Sequence, residues 1–164
     1  MNATGGRAIV TESSSTGPTV DIQYACTRTG VPDRRHIRKW VKATLAGARL
    51  PVELTVRIVD ETEGAELNRR WRRRTGLTNV LSFPAARIAR VAPGPLGDIV
   101  ICAPVVRREA REQGKKPEAH WAHMVVHGTL HLLGFDHERA ADTRAMESLE
   151  TQVLARLGFP NPYA

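Results

Sequence analysis

The sequence predicts a single α+β domain in which a small mixed sheet of about four strands packs with about five helices. Two observations carry this. A chain of 164 residues with 41% hydrophobic and 25% charged residues has the size and composition of one soluble globular unit. Segments of period two and period 3.6 then alternate along it in the order β-α-β-α-β-β-α-α-α.

Residues 1–18, with the cluster Ser13-Ser14-Ser15-Thr16-Gly17, show no sustained periodicity and are expected to be a flexible leader ahead of a domain spanning 19–164. Val20, Ile22 and Tyr24 alternate with Asp21 and Gln23 as in a half-buried strand. Pro32-Asp33 opens a helix to about Ala46, with Ile37, Trp40, Val41 and Leu45 on one face. Val52, Leu54, Val56 and Ile58 mark a second strand, and a second helix from Glu61 to Arg73 carries Leu67 and Trp71 one turn apart. Asn79 to Phe83 reads as a short strand closed by Pro84. Gly97 to Cys102 reads as a strand covered on both faces, because its apolar run is broken only by Asp98. The connection from Ala85 to Pro95 contains Pro93-Gly94-Pro95 and is not regular throughout. Helices follow at Val105 to Gln113, Pro117 to about Leu133, and Glu138 to Leu157, the last stopped by Gly158 and Pro160.

No apolar run approaches the roughly 18 residues of a membrane span, and Met1 to Pro18 has no signal-like core, so a cytoplasmic protein without membrane contact is expected. Cys26 and Cys102 are too few for a disulfide framework or a cysteine-rich metal site. The net charge of +7 favours polyanionic partners without naming one.

Four histidines, His120, His123, His127 and His131, recur every three or four residues and therefore share one face of the helix that begins at Pro117. His127 and His131 stand one turn apart, so both imidazoles can reach one ion. Gly134 then lets the chain turn and return His137 as a third ligand. This spacing is similar to that of the metzincin zinc proteases, whose first histidine is followed by a glutamate base. Position 128 here is Gly, so the ligand spacing survives without the peptidase base. Three neutral imidazoles suit Zn²⁺ and leave a fourth position open, which makes a catalytic type of zinc site on a buried helix the expectation. His120 and His123 are expected as supporting, core or wall residues. Asp136 could orient a ligand imidazole or cap the following helix.

Arg69, Arg70, Arg72, Arg73 and Arg74 surround Trp71 at the end of the second helix. A solvated basic helix end is the plain reading, and a guanidinium is also the side chain best shaped to fork a phosphate.

Taken together, Leu67-Asn68, Trp71-Arg72, Thr78-Asn79-Val80-Leu81-Ser82-Phe83-Pro84, Leu96 to Ile101, and the string from His127 to His137 resemble the YbeY-type endoribonucleases, the bacterial 16S ribosomal RNA maturation factors. The resemblance covers about Val20 to Tyr163. It implies single-strand-specific RNA cleavage, one zinc per chain on His127, His131 and His137, rRNA 3′-end processing, ribosome quality control, and contact with the small ribosomal subunit. It places the family's arginine at Arg72. Where the family has a Lys-Asp pair and a proline, this chain has Arg73 to Leu77, so no substrate contact beyond Arg72 is carried over, and Arg69, Arg70, Arg73 and Arg74 remain candidates for the RNA backbone on charge alone. Activated water and the RNA's own 2′-hydroxyl are both compatible as nucleophile. A metallopeptidase with a displaced base such as Glu138, and a non-catalytic ribosome-binding protein with structural zinc, are the alternatives.

Overall fold

Every expected element forms, in the expected order. The computed structural model describes residues 17–47, 52–72, 76, 78–85 and 94–164. The leader lies outside these except for its last two residues, as do Arg73, Arg74 and residues 86–93 of the proline-rich connection. The elements are β1 (Thr19–Ala25), α1 (Arg34–Thr44), β2 (Val52–Val59), α2 (Glu61–Arg72), β3 (Val80–Pro84), β4 (Gly94–Cys102), α3 (Ala103–Glu112), α4 (Pro117–Leu132) and α5 (Ala140–Arg156). No helix among the described residues is long and apolar enough to cross a membrane.

The sheet has the order β1-β2-β4-β3; β1, β2 and β4 are parallel, and β3 runs antiparallel along the edge of β4. Parallel pairing explains the apolar run of the central strand, since parallel sheets are covered by the helices that cross over them. The inner face, carrying Val20, Ile22, Leu54, Val56, Ile58, Ile99 and Ile101, packs on Ile37, Trp40 and Val41 of α1 and on Trp121, Val125 and Val126 of α4. Among the described residues the outer face is covered at one end, where α2 lays Gly64 and Leu67 against Val59, Val100 and Cys102.

Three boundaries differ from expectation. The fourth strand starts at Gly94 rather than Gly97, and its Pro95 is accommodated beside a register shift between Glu53 and Leu54. α3 begins at Ala103, with Pro104 in its first turn, where a missing N–H costs nothing. α5 begins at Ala140, because the Asp136 side chain accepts a hydrogen bond from the Glu138 N–H at 3.2 Å and holds the preceding residues in a turn. Asp136 thus serves that turn and does not cap α5, one of the two roles its sequence position left open.

Candidate metal centre

α4 starts cleanly because Lys116, in front of Pro117, is held extended and Pro117 fits the first turn. Its histidine stripe runs from the interior outwards: His120 and His123 are buried, and His127 and His131 are half-buried. The helix ends at Gly134, whose φ of +100° is the left-handed conformation of a Schellman stop, with the Phe135 N–H donating to the Leu130 carbonyl at 3.2 Å. The reversal carries His137 back over the last turn.

The ring centroids of His127 and His131 lie 4.6 Å apart, those of His131 and His137 4.7 Å, and those of His127 and His137 5.5 Å. One nitrogen from each lies within 4.8 Å of the others. The Nε2 atoms of His127 and His131 are 3.1 Å apart, close to the roughly 3.3 Å between two nitrogens that share a tetrahedral zinc at about 2.0–2.1 Å. Burial, reinforced by the neighbouring His127 and His137, pushes the His131 pKa down to about 4, so this imidazole is neutral at pH 7, the form in which it can donate a lone pair.

Behind His127 stands a group that sequence reasoning missed. Glu150 of α5 is fully buried. It accepts from His127 Nδ1 at 2.5 Å, from His123 Nε2 at 2.8 Å and from the Tyr163 hydroxyl. Burial alone would raise its pKa, yet the bonds from His123, His127 and Tyr163 outweigh it and hold the carboxyl at about 2. Burial and this carboxylate together push the Tyr163 hydroxyl well above the usual tyrosine range. Since an ionised carboxylate only accepts, Nδ1 of His127 carries the proton and Nε2 is free to face His131 and His137. His123, His127 and Glu150 form a second group with donor atoms within 4.8 Å. The signal was present in the sequence, because Glu150 interrupts the buried stripe Met146, Val153, Leu154 of α5. A cavity of about 330 Å³ between His127, His137, Thr143, Glu147 and Tyr163 opens the cluster to solvent.

Gly128 lies against the sheet. A Cβ there would stand 2.8 Å from Ile99 Cγ2 and 3.2 Å from Val80 Cγ2, so the position that holds the base of a zinc peptidase has no room for a side chain. Its carbonyl accepts from the Ser82 hydroxyl at 3.1 Å, tying α4 to the edge strand. His120, far from the cluster's open side, pairs with Glu109, which also accepts from Asn79 at 3.2 Å.

Arg72 ends α2, exposed and without a side-chain hydrogen bond among the described residues. It lies close enough to His131 for its charge to disfavour the imidazolium. Arg69 and Arg70 are also exposed. Asn68, buried in the same helix, donates to the Gly76 carbonyl at 2.9 Å and anchors the segment that follows the arginines. Trp71 departs from expectation. Its spacing from Leu67 suggests a shared buried face, yet it is 62% exposed, with its indole edge-on to Phe83 and the Arg70 guanidinium 5.7 Å from its centroid.

The family model described as Endoribonuclease YbeY matches residues 22–158. A protein of Nitrosococcus oceani named Endoribonuclease YbeY is 52% identical over 147 residues, covering 88% of this chain and 96% of its own length. Its namesake in Xanthomonas campestris pv. campestris is 53% identical over 149 residues, covering 88% and 92%. The solution structure of TM1509 from Thermotoga maritima shares the fold, with a TM-score of 0.56 at 23% identity over 85% of this chain and 91% of that one. The chain belongs to the YbeY endoribonuclease family.

Proposed function

We propose that this protein is a zinc-dependent, single-strand-specific endoribonuclease acting in rRNA processing, namely 16S 3′-end maturation and ribosome quality control, in the cytoplasm and in contact with the small ribosomal subunit. Family membership supports the reaction class, and the observation that carries the site is the convergence of three imidazoles on one point.

In this reading His127, His131 and His137 hold one zinc per chain. The alternative group of His123, His127 and Glu150 is less suited, since His123 Nε2 and His127 Nδ1 are both spent as donors to the carboxylate. When bound, zinc supplies Lewis acidity toward a phosphoryl oxygen and lowers the pKa of water toward about 7. The chain's own residues do the rest. Glu150 fixes the His127 tautomer and ring, as partners behind metal-bound histidines generally do. Tyr163 and His123 fill the remaining acceptor sites of Glu150, so its buried charge is shared among three donors. Arg72 offers a fork to the scissile phosphate, where a fixed cation stabilises charge that grows during displacement. Arg69 and Arg70, with Arg73 and Arg74, track the flanking backbone. The domain comprises residues 19–164 behind a leader. The packing of Gly128 against Ile99 weighs against a peptidase.

The test is metal analysis paired with cleavage of single-stranded and duplex RNA, before and after chelation. One zinc per chain, cleavage of the single strand alone, loss with chelator and return with added zinc are expected. Undiminished cleavage by metal-free protein would overturn the reading.

A further inference from the structure

The outer face of the sheet ends, at its uncovered end, in an aromatic step. Phe83 of β3, Asp98 of β4, Thr55 of β2 and Asp21 of β1 lie in one row across the four strands. α2 covers the neighbouring positions Val59, Val100 and Cys102, and among the described residues this row is left open. A cavity of about 510 Å³ remains, walled by Leu67, Trp71 and Phe83 and floored by Thr55, Arg57 and Asp98. Trp71 touches Phe83 in a T-shaped contact, centroids 6.3 Å apart, and the Arg70 guanidinium lies 5.7 Å from the indole centroid.

The charges say what fits. Glu63 is neutralised by a two-point pair with Arg57, whose Nε and Nη2 donate at 2.7 and 3.2 Å. Asp98 is exposed and has no side-chain partner among the described residues, and Asp21 stands in the same row. A phosphate is repelled from such a floor. The rim is cationic instead, with Arg69, Arg70 and Arg72 on the helix that presents the indole. Apolar walls, a free carboxylate below and guanidinium groups at the rim match a nucleotide whose base enters while its phosphate stays outside. A base with N–H donors is favoured by the carboxylate, and guanine, which has a ring N–H beside its exocyclic amino group, can meet both oxygens.

We infer that Trp71, Phe83 and Asp98 form a subsite for one unpaired base of the RNA strand, with guanine preferred, reached from the metal centre around the edge strand β3. This rests on the endoribonuclease reading. β3 connects the two places directly, since Ser82 faces α4 and bonds Gly128 while the next residue, Phe83, faces the cavity. Trp71 likewise immediately precedes Arg72 at the end of α2.

The three tryptophans make the test direct. Trp40 and Trp121 are each 1% exposed and Trp71 is 62% exposed, so quenching of emission by an added strand reports Trp71. The probes are 2′-O-methyl octanucleotides of uridine alone and with one guanosine or one inosine, titrated into the zinc-loaded protein. Strand binding should quench emission. The guanosine strand should bind about fivefold or more tighter than the uridine strand, with inosine, which lacks the amino group, between them. Trp71→Ala should weaken binding of the guanosine strand about tenfold and raise the KM for a cleavable strand alike, while Trp71→Phe restores most of the loss. Asp98→Asn should abolish the preference for guanosine over inosine. Because both side chains are exposed, thermal melts of these variants should match the unmodified protein. Cleavage and binding that proceed with Trp71 unquenched, or a Trp71→Ala protein with undiminished affinity, would overturn the subsite alone. A protein that neither binds nor cuts any strand would remove the endoribonuclease reading together with it.

Discussion

On the inner face of the sheet Val56, Ile58, Ile99 and Ile101 are wholly sealed beneath α1 and α4, whereas one residue along the same strands Asp98 stands open to solvent and Thr55 is only half-buried, and Asp21 of β1 is exposed beside them. The difference separates two requirements of a metal-dependent nuclease. Imidazoles must be held to within tenths of an ångström to share an ion, and dense packing beneath α4 supplies that rigidity. A strand of variable sequence needs an accessible surface, and the half-covered outer face supplies it. β3 belongs to both, giving Ser82 to the inside and Phe83 to the outside.

The widest gap between the faces should come from the inner side's histidines. His137→Ala removes one of three donors, so zinc content should fall sharply and RNA cleavage by about a hundredfold or more. Glu150→Gln keeps the shape but leaves His127 Nδ1 facing an amide, and should weaken zinc affinity about 10- to 100-fold, read by competition with a chelating dye. Full zinc occupancy in both proteins would sink the assignment. His120→Ala should retain the metal, since His120 pairs with Glu109 on the far side.

A second contrast probes packing directly. Gly128→Ala places a methyl 2.8 Å from Ile99 Cγ2 and should destabilise by about 1–3 kcal/mol, a drop of several degrees in melting temperature. Thr55→Ala on the open face should stay within about 0.5 kcal/mol. Equal shifts from the two would mean that the faces are not packed as differently as they look.

The same contrast explains what the sequence disclosed. β1 and β2 were legible because their inner-face residues alternate with polar ones, β4 because its apolar run suits a parallel strand covered on both faces, and α4 because its histidine spacing matches a helical turn and its apolar residues surround it. The charge in the apolar stripe of α5 marked Glu150 without saying that it meets His127, 23 positions away, and Tyr163 meets Glu150 and His123 only through folding. Trp71 misled for a related reason: the i,i+4 rule says which residues share a helix face but not how far along the helix the sheet extends. The boundary at Pro95 failed because a proline read as punctuation is tolerated beside a bulge in its own strand, where Leu96 is the extra residue.

Arg72 is the exposed last residue of α2, and its replacement should cost less than loss of a ligand. Arg72→Ala should leave zinc content and melting temperature intact while cleavage falls about tenfold, a barrier change on the order of 1.4 kcal/mol. Arg72→Lys should recover part of this, since it keeps the charge but loses the fork. Unchanged cleavage would reduce Arg72 to a solvated helix end.

The smallest effect concerns acid stability of the metal-free protein, and its sign follows from His131. The pKa of this imidazole is 6.5 in an unfolded chain and is lowered to about 4 here, so as pH falls the unfolded state takes up the proton first. The stability linked to neutral His131 is therefore present above pH 6.5 and is lost between pH 6.5 and about 4. His120, lowered mainly by burial against the opposing pull of Glu109, acts in the same direction. Glu150 acts in the same direction but in a lower window: lowered from 4.5 to about 2, its contribution holds above pH 4.5 and fades only below it. Melting temperatures of chelated protein should thus decline from pH 7 to pH 5 before Glu150 contributes to the loss. His131→Gln, with nothing to protonate, should decline less over that interval, while Thr55→Ala on the outer face should follow the unmodified protein. A flat profile in the unmodified protein, or an identical slope in His131→Gln, would show that burial at the end of α4 does not keep this imidazole neutral, and with it would go the argument that the inner face prepares the histidine to receive a metal.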